Sequence, residues 1–465
     1  MKTKLYMMRL VSCLSRLGSA KRATVGICVL AFCASCVDVT TEPSAKSLPK
    51  TDALTVFFTG NELGELKPCG CSGGQLGGLS RRAAVFNRVP KHKRLIIDTG
   101  SLVKSQSEQD LIKFNIIIEA FSLLDYDLVN LSEKDIEIAQ NLGLLSNPIV
   151  GFISPYDTPV RDALRRGEKI AEGSRSQYLL KGKYITISVL TFNVETSPIK
   201  QIREVFPREP GQQSVNILII NRCDDAIISS IAEMGTVDCI VCPAESDEPM
   251  VIGDANKKPL VLSVGRFGRY VCGLQITESA GDEDKLKLSF FAVPVEEDLE
   301  EEASLVQLYN DYQQLVKERN LLEKHPRFTL DGLEYAGSES CKACHEYEYG
   351  KWSRNAHAHA YATLERVGSQ FDPECAICHV VGMNYESGFI SEQKTGHLKN
   401  VGCENCHGPG SEHIKTGGIA GFAGPKSACI DCHTPEHSGD YAGNEGVFLE
   451  KIVHWREPKP LAPVK

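Results

Sequence analysis

The pentapeptide Cys-x-x-Cys-His occurs four times in this chain. The copies are Cys341, Cys344 and His345; Cys375, Cys378 and His379; Cys403, Cys406 and His407; and Cys429, Cys432 and His433. Composition alone predicts on the order of 0.02 such motifs, so the repetition has a chemical cause. The spacing suits covalent attachment of c-type haem. Two thiols add to the two haem vinyl groups, and the adjacent His is held under the iron as its proximal ligand. Zinc sites also use paired Cys-x-x-Cys, but they do not call for His directly after the second Cys of every pair. A disulfide framework accounts for none of the His. The motifs therefore imply four haem c groups.

Histidine supply extends the argument. Eleven of the 12 His lie from His325 onward, and only His92 precedes them. Beyond the four proximal residues the region holds His325, His357, His359, His397, His413, His437 and His454, against a single Met, Met383. His/Met ligation raises haem potential. With Met nearly absent, the distal ligands are expected to be His and the potentials low. Residues 327–465 have little room for four porphyrins and a separate apolar core. The porphyrins are expected to form the core of a mainly α domain and to lie close enough together to conduct.

The remainder of the 465-residue chain reads differently. Between 53 and 295, apolar runs at Leu54–Phe58, Leu95–Ile97, Ile185–Leu190, Val215–Ile220, Val237–Val241 and Leu260–Val264 alternate with helical stretches such as Leu111–Leu124 and Asp224–Met234. That alternation predicts a layered α/β domain. Residues 296–326 carry Leu305, Leu308, Tyr312 and Leu315 on one face, as in an amphipathic linker helix that docks one domain on the other; Pro326 ends it. Residues 1–36 read as an export signal: Lys21 and Arg22 precede an apolar stretch too short for a comfortable membrane span. Ala34-Ser35-Cys36 resembles a bacterial lipoprotein cleavage site, which would anchor the chain through lipidated Cys36; ordinary signal cleavage is the alternative. Either route leads to the periplasm or cell envelope, where c-type haem is attached. Residues 37–52 read as a polar tether. The net charge of −9 gives no reason to expect nucleic acid. The partners implied are redox proteins.

Two resemblances add to this. Tyr335-Ala336-Gly337, the first motif, Trp352, His357-Ala358, Glu374 with the second motif, Gly388-Phe389, and Val401 to His413 are similar to the tetrahaem cytochrome c-554 family of nitrifying bacteria. The resemblance implies that His413 serves the first haem and His357 the third, and that His454 is the distal ligand of the fourth. It also implies a five-coordinate second haem on His379, which His397 could fill. His359 and His437 read as solvent-facing or local hydrogen-bonders.

Residues 54–280 resemble the calcineurin-like metallophosphoesterase fold in its 5′-nucleotidase branch. The traces are Phe57 to Asn61, Gly77 to Arg82, Leu95 to Gly100, Tyr126-Asp127, Val237 to Ile240 and Gly265 to Tyr270. The metal ligands of that family are missing. Its Asp-x-His aligns with Asn61-Glu62-Leu63, its Gly-Asp with Gly100-Ser101, its Gly-Asn-His-Glu near Ser132 to Asp135, a later His with Arg222, and its Gly-His-x-His near Pro243 to Ser246. Two-metal hydrolysis needs that His and carboxylate cluster, so no phosphoesterase activity is expected, and Asp98 is expected to be structural. The glycine-rich stretch Gly70 to Gly78 lacks the Lys-Ser/Thr of a phosphate loop. Cys69, Cys71, Cys223, Cys239 and Cys242 follow or end predicted strands, which allows either a thiol cluster in the old site or one disulfide with buried free Cys.

The sequence thus predicts an exported electron carrier with four haems and a non-catalytic phosphoesterase-like docking or binding domain, with no catalytic residues assigned. Two alternatives stand beside it: an oxidoreductase acting on a small nitrogen or oxygen species at an open second haem, and a ligand-binding protein whose haems report redox state.

Overall fold

The computed structural model describes residues 53–68, 74–146, 148–155, 170–171, 173–206, 213–243, 246–279, 282–420, 429–434 and 437–455. The export signal, Cys36, Cys69 and Cys71 lie outside the described residues.

Two sheets form the α/β part. Strands β1 (Leu54–Thr59), β2 (Arg94–Asp98), β3 (Leu128–Asn130), β4 (Gly151–Ile153) and β5 (Ile170–Ala171) run parallel and adjacent. The strands β6 (Gly173–Leu180), β7 (Lys183–Phe192), β8 (Gln213–Ile220), β9 (Cys239–Cys242), β10 (Met250–Val251) and β11 (Leu260–Ser263) make the second sheet, in the order β10-β11-β9-β8-β7-β6. The chain then returns to the first sheet as a long hairpin, β12 (Tyr270–Ser279) and β13 (Asp282–Pro294), paired antiparallel against β1.

Side-chain alternation along the strands explains why the sheets stack. Val56 and Phe58 of β1, Leu95 and Ile97 of β2, and Ile217 and Ile219 of β8 enter one apolar cluster between the sheets. Their neighbours Phe57 and Ile96 face the opposite way, against helices α1 (Glu108–Leu123) and α2 (Glu133–Asn141). On the second sheet Leu218 and Ile220 face Ile227 and Ile231 of α3 (Asp225–Met234). A period of two on each strand therefore builds four layers, helix–sheet–sheet–helix. The six strands read from the sequence are present. β3, β4 and β5 are too short to register as apolar runs.

The predicted linker helix is α4 (Ala303–Glu318), and it is more than a linker. Leu305, Leu308, Tyr312 and Val316 are buried in the same cluster as α1, so α4 closes the outer layer of the first sheet.

From Ser338 onward the pattern changes to helices of three to eight residues. The one apolar cluster described there is small, with Tyr361, Leu364, Val380, Met383 and Phe389 among its members. Met383 is packed inside it. Among the described residues no helix is long and apolar enough to cross a membrane.

The α/β and Cys/His-rich regions belong to one compact unit. Their contact centres on Asp372, which caps the short helix α5 (Pro373–Ala376) that carries Cys375. The buried Asp372 carboxylate accepts hydrogen bonds from Gln109 of α1 (2.8 Å) and from the Tyr312 hydroxyl of α4 (2.9 Å). Beside it, the buried Lys113 pairs with Glu374. Burial pushes the Asp372 carboxyl up from its ordinary value, and Lys113, Tyr312 and Gln109 work against that.

Candidate haem-ligating site

The eight motif cysteines carry free thiols in the structure. Among the described residues, no group of three or more His, Cys, Asp or Glu is placed to hold a metal ion.

The His rings show a repeated geometry. His345 faces His413 with ring centroids 6.0 Å apart. His433 faces His357 at 6.2 Å, and His407 faces His454 at 6.2 Å. Two imidazoles bound to opposite faces of one iron have centroids about 6 Å apart, because each metal–nitrogen bond is about 2 Å long. Each pair joins a motif His to a His from elsewhere in the chain. The interplanar angles, 27°, 42° and 87°, are all compatible with this, since the rings can rotate about the axis through the metal.

Hydrogen bonds fix which nitrogen is presented. Nδ1 of His379 lies 2.7 Å from the Ala360 carbonyl, that of His413 2.8 Å from the Ala420 carbonyl, and that of His454 3.0 Å from the Ile452 carbonyl. A carbonyl can only accept, so each Nδ1 donates and Nε2 is left as a lone-pair donor suited to iron. Nδ1 of His433 is likewise engaged, by the Ser438 hydroxyl. Burial lowers the proton affinity of His357 and His433, for His357 with help from His433 and His379 nearby, which favours the neutral, ligating form. The donor set therefore fits haem c.

Two pairings differ from those implied by the resemblance. His357 stands opposite the fourth motif rather than the third, and His454 opposite the third rather than the fourth. The backbone explains both. The His357 carbonyl accepts from Val401 beside the third motif, yet its ring turns toward His433. Helix α7 (Glu445–Ile452) lays Phe448 against His433, with ring centroids 5.5 Å apart, and so carries His454 past the fourth motif to His407.

The spare His are engaged otherwise. Nε2 of His325 bonds Asn384, Nε2 of His359 bonds the Ser353 carbonyl, and Nδ1 of His437 bonds Thr434. His397 is exposed, and its ring packs beside Gly337, ahead of the first motif.

The motifs also contact one another. The Cys341 and Cys403 thiols are hydrogen-bonded, as are those of Cys378 and Cys432. Cys406 has Cys429 and Cys432 as near neighbours. The spatial order is therefore first, third, fourth, second. Buried Glu404, inside the third motif on α6 (Cys403–His407), locks the first of these contacts. Its carboxylate accepts from the backbone N–H groups of Ala336, Gly337 and Gly410 at 2.7–2.9 Å.

Residues 340–408 match the family model of cytochrome c554 and c-prime. A cytochrome c554 segment implies covalently bound haem c. Cytochrome c-554 of Nitrosomonas europaea is 30% identical over 112 residues, covering 20% of this chain and 48% of that protein. The chain thus spans about half the length of this cytochrome c-554 relative. Among solved structures, a 5′-nucleotidase precursor from Thermus thermophilus is similar at a TM-score of 0.44 and 14% identity, with 68% of each chain covered. The NAD nucleotidase of Haemophilus influenzae is similar at 0.44 and 12%, with 62% of this chain and 64% of that one covered.

Where β1 and β2 end, the α/β part holds a buried polar assembly. Arg82 is fully buried; its guanidinium donates to Glu62 at 2.5 Å and to the Tyr126 hydroxyl at 3.1 Å. Tyr126 in turn bonds Thr59, whose hydroxyl donates to Asp98 at 2.7 Å. Burial works against the charge on Arg82, yet Glu62 and Tyr126 keep it protonated beyond its ordinary range. Burial, and then Glu62, push the Asp98 carboxyl up to about 8. Ser132 to Asp135 form a capping box on α2, and Asp135 also accepts from the Ser101 and Leu102 N–H groups. Cys223 and Cys242, at the ends of adjacent strands β8 and β9, form a disulfide, while Cys239 and Cys272 are buried free thiols. Sequence reasoning missed Arg82 and Asp372. The Asp372-Pro373 pair did carry a helix-start signal.

Proposed function

We propose that this protein transfers electrons through four covalently bound c-type haems in the cell envelope, exchanging them with redox partner proteins. The reading assigns the eight motif cysteines to thioether bonds and His345, His379, His407 and His433 to proximal ligation. His413, His454 and His357 are the distal ligands of the first, third and fourth haems. The observation that carries it is the set of three His–His pairs near 6 Å, each uniting one motif with a remote His. Haem supplies a reversible one-electron iron couple; the chain holds the ring nitrogens, orients them through Nδ1 and shields them.

The contact order first–third–fourth–second supports a conducting series rather than four isolated centres. The second motif is tied to the α/β part through Asp372 and Glu374. Residues 342–345 of the first motif are exposed, which favours that end for partner docking. On this reading residues 53–295 form a non-catalytic binding or docking domain, 327–465 the haem domain, and residues 1–36 an export segment with Cys36 as a candidate lipid anchor.

Haem quantitation with electron paramagnetic resonance of the oxidised protein tests this. Four haems per chain with low-spin signals dominating are expected. Fewer than four, or no covalent haem after acid–acetone extraction, refutes the reading. A high-spin share of about one haem in four would shift it toward small-molecule chemistry at an open iron.

A further inference from the structure

His433 is held more closely than its motif alone would hold it. Its imidazole stacks on the Tyr441 ring, with centroids 5.0 Å and planes 20° apart, and meets Phe448 of α7 edge-on at 5.5 Å. Tyr441 and Phe448 also pack on each other, at 5.2 Å. Ring rotation is thereby restricted, and Nδ1 is aimed at the Ser438 hydroxyl 3.0 Å away. Ser438 is buried, with 6% of its surface exposed.

Backbone bonds fix that hydroxyl. The Ser438 N–H donates to the carbonyl of Thr434, the residue after His433, at 2.8 Å, and the Ser438 carbonyl accepts from the Tyr441 N–H at 2.9 Å. One short stretch of chain thus supplies both the acceptor and the stacking ring. A side chain from the α/β part reaches the same turn. Half-buried Gln75, between β1 and β2, donates through Nε2 to the His437 carbonyl at 2.9 Å. That carbonyl belongs to the planar peptide unit joining His437 to Ser438, so the bond fixes the direction in which the Ser438 side chain leaves.

The hydroxyl sets this His apart. Nδ1 of His379, His413 and His454 donates to a peptide carbonyl instead. Amide resonance polarises a carbonyl oxygen, so it draws the Nδ1 proton more strongly than a hydroxyl does. The stronger that pull, the more basic the imidazole and the more it favours ferric iron. His433 therefore gives its iron less electron density than a carbonyl-bonded His gives.

We infer that Ser438 is a positioning residue that sets the midpoint potential of the fourth haem, and that Gln75 ties this setting to the α/β part. This role rests on the haem reading above, and it gives the two parts of the chain a reason to be joined. Removing the hydroxyl leaves the Nδ1–H without its acceptor, makes the ligand less basic and raises the midpoint. Loosening the turn at Gln75 acts in the same direction, by less. Mere opening of the site to water would do the opposite, because water solvates the more highly charged ferric state.

Potentiometric titration of the full haem-loaded chain, followed by visible absorption, tests this in wild type, S438A, S438T and Q75A. Haem count and urea midpoint are measured for each. Partners of this kind are worth about tenfold or more to a metal site. In S438A one of four midpoints should therefore rise by about tenfold in the ferrous-to-ferric ratio, or about 59 mV. In Q75A the same midpoint should rise by less. S438T keeps the hydroxyl and should match wild type. The moving midpoint should belong to the haem that His357→Ala turns high-spin, because His357 faces His433. Four haems with every midpoint fixed in S438A, a downward shift, or S438T shifting as far as S438A overturns the role of Ser438. A fixed midpoint in Q75A overturns the tie to the α/β part alone. If S438A loads fewer than four haems, Q75A carries the test, and a fixed midpoint there overturns both. A wild-type haem count below four instead overturns the haem reading itself.

Discussion

Replacing Asp372 with Ala should uncouple the two regions of this protein. The carboxylate is 4% exposed and accepts from four groups: Gln109 Nε2 at 2.8 Å, the Tyr312 hydroxyl at 2.9 Å, the Glu374 backbone N–H at 3.0 Å and, more weakly, Gln313 Nε2 at 3.4 Å. Gln109 and Tyr312 are themselves buried; Gln109 Nε2 keeps its bond to the Tyr312 hydroxyl at 2.8 Å, but the hydrogens that both aim at Asp372 are stranded when the acceptor goes. Each stranded donor costs about 1–3 kcal/mol, and a lost helix cap about 1 kcal/mol. Relaxation and water entry hold the sum toward its lower end, about 3–4 kcal/mol. The two Trp provide the assay, because Trp352 and Trp455 both lie in the Cys/His-rich region whereas the sheets lie in the other. In the wild type, urea transitions followed by Trp fluorescence and by far-ultraviolet circular dichroism should coincide. In D372A the fluorescence transition should come first and separate from the second. Coincident transitions with a loss below about 1 kcal/mol would refute the view that this contact couples the regions.

Other outcomes follow from the same geometry. His357→Ala removes the ring opposite His433 and should convert about one haem in four from low to high spin, while His359→Ala should leave the spectrum unchanged; identical spectra for both would refute the pairing. Asp98 carries a carboxyl pushed up to about 8 by burial and then Glu62. The native state therefore keeps a proton that the unfolded state releases. Stability is then full below about pH 4 and declines as pH rises toward 8, by an amount on the order of a few kcal/mol. Asp98→Asn should flatten that slope in urea titrations at pH 5 and 8, and an unchanged slope would count against it. Finally, the purified protein should release no phosphate from p-nitrophenyl phosphate with added manganese or zinc. Metal-dependent release would overturn the reading of the α/β part as non-catalytic.

The layered α/β part was readable because period-two apolar patterning needs no long-range information: Val56 and Phe58 against Phe57 already states which faces are buried. The haem motifs were readable for a similar reason, since their chemistry is written within five residues. What escaped depends on partners far away in sequence. Arg82 looks like any arginine before an apolar helix turn until Glu62 and Tyr126 close around it. The Cys223–Cys242 bond became legible only once β8 and β9 were known to be neighbours. Asp372 announces a helix start, but nothing local to it announces Gln109 or Tyr312.

The pairing of His rings shows why spacing along the chain underdetermines a multihaem site. A proximal His is fixed by its own motif, because the two thioether bonds and the imidazole share one rigid turn. A distal His is fixed only by where its backbone is carried and which way its ring rotates. His357 is anchored through its carbonyl to Val401, adjoining the third motif, yet its ring serves the space beside His433. The anchor and the ring report different neighbours, and sequence spacing reads only the anchor. The same holds for the order of the motifs themselves. Glu404 draws the first motif onto the third by binding the Ala336 and Gly337 amides, while the Cys378–Cys432 contact draws the second onto the fourth. The first and second motifs, neighbours in sequence, thereby become the two ends of the series, one held beneath the α/β layers and the other left open to solvent.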